Sequence, residues 1–108
     1  MRILLTLAAV GTAIALPLLA QTADTAATTA YKAAMDGMMG GMMMSYSGNP
    51  DVDFVKAMVP HHQGAVDNAR IVLQYGTDPE VRKFAEGVIA AQEAEIKWMN
   101  EWLAKNGG

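Results

Sequence analysis

Apolar residues recur along this chain in steps of three and four. Beyond residue 30 they never alternate in the way a half-buried strand requires. Between residues 51 and 75, Val52, Val55, Val59, His62, Val66, Ala69 and Leu73 form one such row. Phe54, Met58, His61, Ala65, Asn68 and Val72 form a second beside it. After residue 79, Val81, Phe84, Val88, Ala91, Glu95, Trp98 and Trp102 make one row, and Ala85, Ile89, Gln92, Ile96, Met99 and Leu103 another. Alternating steps of three and four mark the seam of left-handed helix packing. Two adjacent apolar rows per helix are more than one partner helix can cover, so the pattern predicts an all-α bundle.

Punctuation divides the pattern into three helices. Met35, Met38, Met39, Met42 and Met43 fall on one face and predict a short methionine-rich helix over 31–46. Gly37, Gly40 and Gly41 interrupt it, each costing about 1 kcal/mol relative to alanine, so this helix is marginal without packing or a ligand. Ser47-Gly48-Asn49-Pro50 is a turn signal, and Asp51 is a candidate cap for a helix over 51–75 that ends at Gly76. Thr77-Asp78-Pro79-Glu80 has the form of a capping box. It opens a third helix running to Lys105 before Asn106-Gly107-Gly108. The last two helices match in length and share a short link, which predicts an antiparallel hairpin.

The start of the chain follows another logic. Arg2, an apolar run from Ile3 to Ala20 with Pro17 near its end, and a polar stretch afterwards read as a signal peptide over 1–20. The rival reading is an uncleaved anchor. Residues 21–30, QTADTAATTA, read as a flexible lead-in or a fraying helix start, and 31–108 as one helical domain. The net charge of −3 becomes −4 once Arg2 is removed, and no basic patch is present to attract nucleic acid. With no cysteine, a small exported domain must look to metal or oligomerisation for added stability. After cleavage no membrane segment is expected.

Polar residues interrupt the apolar rows near their centres: His61, His62, Gln92 and Glu95, with Asn68 further along. Folding the hairpin about Gly76 and Thr77 sets residue 62 opposite residue 91 and residue 58 opposite residue 95, to about one turn. His61, His62 and Met58 then meet Gln92, Glu95 and Met99. Pro60 frees a carbonyl and is expected to bend the helix beside the two histidines. A single buried histidine is more often hydrogen-bonded in a core than bound to metal. Two beside a methionine and opposite a carboxylate favour a metal site of imidazole and thioether donors. The methionine stripe reads first as a core face, since methionine fills irregular cores. Yet five methionines among three glycines specify a core poorly, and thioethers select Cu(I). Trp98 and Trp102 read as core or interface residues.

The stretches DVDFVKAMVPHHQGAVDNARIVLQYG and DPEVRKFAEGVIAAQEAEIKWMNEWL resemble an exported bacterial family of ferritin-like helical proteins. That family was long filed as of unknown function and includes CopM-like copper-binding proteins. The likeness spans residues 38–104, and its most specific block is M-x-P-H-H-Q-G-A at Met58 to Ala65. It implies a ferritin-like bundle and periplasmic copper binding in copper tolerance. The implied ligands are His61, His62, Met58 and Met99, with Met38, Met39, Met42, Met43 and Met44. Gln92 and Glu95 become supporting residues or further ligands. Three departures stand out: Asn68 occupies a position where relatives often have methionine, the first helix lacks a histidine, and only one histidine-pair half is present.

Three functions compete. The favoured one is a non-enzymatic periplasmic or secreted protein that sequesters or buffers copper, Cu(I) in preference to Cu(II). A ferritin-like di-iron oxidase needs Glu-x-x-His pairs, and Met58 and Val59 stand three residues before the histidines. The third is a metal-free helical interaction module with a methionine-rich binding surface. Because the short first helix covers only part of the hairpin, a homodimer is expected to complete a four-helix bundle, with Trp98 or Trp102 becoming less exposed.

Overall fold

The computed structural model describes residues 23–107, and these form three α-helices with no strand among them. The expected leader falls outside the described residues. No described helix is long and apolar enough to cross a membrane.

Helix α1 runs Ala26–Met42. It begins within the expected lead-in because the Thr25 side chain caps it, accepting from the Thr28 amide at 3.2 Å. The alanines that follow are the strongest helix formers. It stops at Met42, short of the predicted Tyr46, because Asp53 holds the next loop open. The Asp53 carboxylate accepts from the amide and hydroxyl of Ser47, each at 2.8 Å, and from the Gly48 amide at 3.1 Å. Gly48 itself adopts φ +89°, where a side chain would be strained.

Helix α2 runs Pro50–Tyr75 without a break at Pro60. Its cap is Asn49, whose side chain accepts from the Asp51 and Val52 amides; Asp51, the expected cap, lies inside the first turn. Pro50 suits the position after the cap because its fixed φ is already helical. Helix α3 runs Pro79–Asn106 and repeats this design, with Asp78 capping and Pro79 following. The cap is thus Asp78 itself, not the Thr77–Glu80 box. Gly107 closes α3 in the left-handed conformation at φ 81°. At Gly76 the conformation is extended, and the need for glycine is spatial: a Cβ there would lie 2.6 Å from the Val72 carbonyl oxygen.

The helices form a layer with α2 in the middle. Helices α1 and α3 each run antiparallel to α2, and α1 makes no close backbone approach to α3. The α1–α2 seam depends on missing side chains. A Cβ on Gly41 would meet the Pro60 Cβ at 2.7 Å, and one on Gly64 would meet the Met38 thioether sulfur at 2.7 Å. The α2–α3 seam is side-chain packing. Its buried residues are Val52, Val55, Val66 and Ala69 of α2 with Ala85 and Met99 of α3, and Val66 is the deepest. Helix α1 contributes no buried residue.

The described residues therefore supply three helices, and they do not by themselves make a four-helix bundle. Two clefts open on one side of the layer. One cleft of about 370 Å³ has Tyr31, Asn68, Val72, Val81 and Phe84 among its walls, and a second, of about 320 Å³, is lined by Phe54, Met58, His62, Glu95, Trp98 and Met99. Phe54, Met58, Asn68 and Val72 belong to one row of α2, and Val81, Phe84, Glu95 and Trp98 to one row of α3. Both clefts thus lie along the same face, towards its two ends. Phe84 and Trp98 remain 74% and 57% exposed there.

Candidate metal centre

The second cleft holds the chemistry. Helix α2 brings Phe54, Met58 and His62 to it at spacings of four, so all three rise from one side of the helix. Helix α3 contributes Glu95, Trp98 and Met99. Met99 is buried, Met58 and His62 are half-buried, and Glu95 reaches solvent. Two thioethers, one imidazole and one carboxylate thus share a single space.

His62 is tied across the seam to Glu95: its Nε2 and the carboxylate Oε2 are hydrogen-bonded. An ionised carboxylate only accepts, so Nε2 carries the hydrogen and donates. In the neutral ring this leaves the lone pair on Nδ1. That atom is buried and has no hydrogen-bond partner among the described residues. A buried acceptor without a partner is costly and rare. A carboxylate on one ring nitrogen with the other left free is also how proteins orient a metal-binding histidine. The donor set therefore fits a soft metal ion. Among the described residues no three His, Cys, Asp or Glu side chains lie close enough together to hold a metal, so no hard-ligand cluster competes with it there.

His62 meets Glu95, one of the residues the rows set against it, four residues beyond position 91 and within the expected margin of one turn. The offset has a geometric reason. Each Cα–Cβ bond leans towards its own helix N-terminus. In an antiparallel pair these leanings add, so side-chain partners lie further along the chain than backbone neighbours do.

The remaining expected residues are scattered. His61 is exposed, its ring centroid 6.1 Å from that of His62 with the planes tilted by 60°, and it lines neither cleft. It falls between Met58 and Ala65 on the open face. Met38 is turned onto Gly64 in the α1–α2 seam, where it lines a small cleft with Pro60, Gln63 and Asp67. Met39, Met42 and Met43 are exposed, and Met44 is half-buried in the loop after α1. None of these lines the His62 cleft. Gln92 has a buried Oε1 with no partner among the described residues, but it lines a different groove of α3, with Phe84 and Ala91. Phe54 and Trp98 were not among the expected site residues. Their signal was spacing: Phe54 lies four residues before Met58, and Trp98 three after Glu95.

The chain belongs to the family described as Domain of unknown function (DUF305), which it matches over residues 7–103. It is also similar to Uncharacterized protein L153 of Acanthamoeba polyphaga mimivirus, with 30% identity over 53 residues. That match takes in 49% of this chain and 35% of the viral protein, so the chain spans only about a third of that curated relative.

Proposed function

We propose that this protein binds copper, Cu(I) in preference to Cu(II), and sequesters or buffers it outside the cytoplasm in copper tolerance, without catalysing a reaction. The observation that supports this most is that Met58 and Met99 line one cleft with a histidine whose Nδ1 has no partner among the described residues. Thioether and imidazole donors select a soft metal, and thioethers need no proton removed before they bind. The ferritin-like and CopM-like assignment belongs to this reading, as does export by a leader over residues 1–20. So does assembly: a second copy laid on the open face would cover Phe84 and Trp98, and the two α2–α3 hairpins would together form a four-helix bundle with each α1 outside it.

The test is a Cu(I) titration of the purified protein against a competing chelator. His62→Ala is expected to weaken binding by at least tenfold while helicity survives, with Met58→Leu and Met99→Leu weakening it less. His61→Ala and replacement of Met39, Met42 and Met43 by leucine report whether these exposed residues add further ions. Binding at full affinity by a folded His62→Ala, Met58→Leu double variant would overturn the proposal.

A second reading draws on a different observation. Met35, Met39 and Met43 are at least half exposed on α1, and methionine is favoured on adaptable binding surfaces. A metal-free interaction module would bind a partner through that helix and would show no saturable Cu(I) uptake.

A further inference from the structure

Trp98 is placed oddly for a core or interface residue. It lies immediately before the buried Met99 and one turn after Glu95, and it lines the same cleft as Met58 and His62. It is nevertheless 57% exposed. Its ring does not stand alone: it stacks with Trp102 one turn later, centroids 6.5 Å apart and planes within 25°. The stack restricts the indole without burying it.

We infer that Trp98 is part of the metal site, as an aromatic lid over a monovalent ion held by Met58, Met99 and His62. This rests on the copper-binding reading above. Thioether and neutral imidazole donors carry no charge, and Glu95, the one anion lining the cleft, is engaged by His62 Nε2, so the three donors themselves leave the positive charge of a Cu(I) ion uncompensated. An indole face is the best aromatic partner for a cation within about 6 Å of the ring centroid. A three-donor site leaves one side of the ion open to water, and a large flat ring on the rim is suited to close it. Phe54 supplies a second apolar wall from α2. The stack with Trp102 holds the Trp98 ring in place, which makes Trp102 a positioning residue and Trp98 the one that touches the ion.

The inference separates the two tryptophans by a signature that packing alone would not produce. Cu(I) is added anaerobically to the full protein, and near-ultraviolet absorption and tryptophan fluorescence are followed, with Ag(I) as a redox-inert second probe. A metal–indole contact is expected to give a new near-ultraviolet band and quenched fluorescence, both saturating together with binding. Trp98→Phe is expected to lose the band and to weaken Cu(I) about twofold to fivefold, the range a cation–aromatic contact carries at an exposed site. Trp102→Phe is expected to keep the band, since a phenyl ring still supports the stack. Circular dichroism shows whether each variant remains helical, and Trp98→Leu repeats the test with an aliphatic residue. A band and affinity unchanged in folded Trp98→Phe and Trp98→Leu would overturn the lid while leaving the copper site in place. Absence of Cu(I) binding by the unaltered protein would overturn both.

Discussion

The two seams of α2 are built from different materials. Towards α3 the contact is made by side chains: valines and alanines around Val66, the buried Met99, and the His62–Glu95 hydrogen bond. Towards α1 it is made by absence, with Gly41 against Pro60 and Gly64 under Met38. Burial of apolar side chains stabilises by about 25 cal/mol per Å², so the first seam carries most of the fold. The second is close but thin, since α1 buries no residue of its own. A seam of that kind positions a helix cheaply and releases it cheaply. The candidate site lies wholly on the stronger seam, while of the α1 methionines only Met38 is set into the weaker one and Met35, Met39 and Met42 are exposed.

The sharpest way to break the contrast is to charge the deep seam. Val66 is only 1% exposed, and Val66→Asp would bury a carboxylate with no partner, at a cost of about 3 kcal/mol or more. Loss of the whole helical signal in one transition is expected by circular dichroism. A variant that melted in two steps would show that the hairpin does not hold the chain together.

The thin seam calls for a gentler change. Gly41→Ala sets a methyl 2.7 Å from the Pro60 ring, which cannot turn aside, and overpacking of this sort costs about 1–3 kcal/mol. Amide exchange is expected to quicken in residues 26–42 and to stay slow in α2 and α3. At Gly37 and Gly40 an added Cβ meets nothing within 4 Å, so alanine there should stabilise α1 by about 0.4–1 kcal/mol each. Equal responses at Gly37, Gly40 and Gly41 would erase the distinction between a packing glycine and a merely costly one.

The smallest effect concerns the loop between the seams. The amide and hydroxyl of Ser47 hold the Asp53 carboxyl below the ordinary carboxylate range. A lowered folded-state pKa means the ionised form is the one that stabilises. Its contribution is complete above the unfolded value, near pH 4, and fades as the pH falls through the lower folded value. Limited proteolysis between residues 43 and 49 should therefore quicken only in acid, and Asp53→Asn should show the same quickening at neutral pH. Cleavage of Asp53→Asn no faster than that of the parent would assign the loop's order to Asn49 instead.

Most of this architecture was legible because helix periodicity is a local signal. The α2 and α3 boundaries lie within a residue or two of those expected, since proline and glycine mark them. The bounds of α1 were less legible, because a threonine cap in an Ala/Thr tract looks like low complexity and the loop after Met42 is set by a carboxylate eleven residues away. Gly41 could be read only as a helix weakener, since its use depends on Pro60 of another helix. The site was half visible. His62, Glu95, Met58 and Met99 came together as the rows required, with the register displaced by the lean of side chains. The divergence of His61 from His62 follows from the 100° between neighbours on a helix, which the bend expected at Pro60 does not cancel.

Arg82 has a bearing on how the chain folds. Its guanidinium donates to the carbonyls of Leu73, at 2.6 Å, and Gly76, at 3.0 Å, joining the end of α2 to the start of α3. Closing a loop of about ten residues takes roughly 10–100 ns, far less than docking distant segments. The clasp is therefore available as a nucleus from which both helices zip away from the turn, with α1 joining last. On that route, substitutions at Arg82 or Asp78 slow refolding and leave unfolding nearly unchanged, whereas those at Gly41 or Gly64 accelerate unfolding alone.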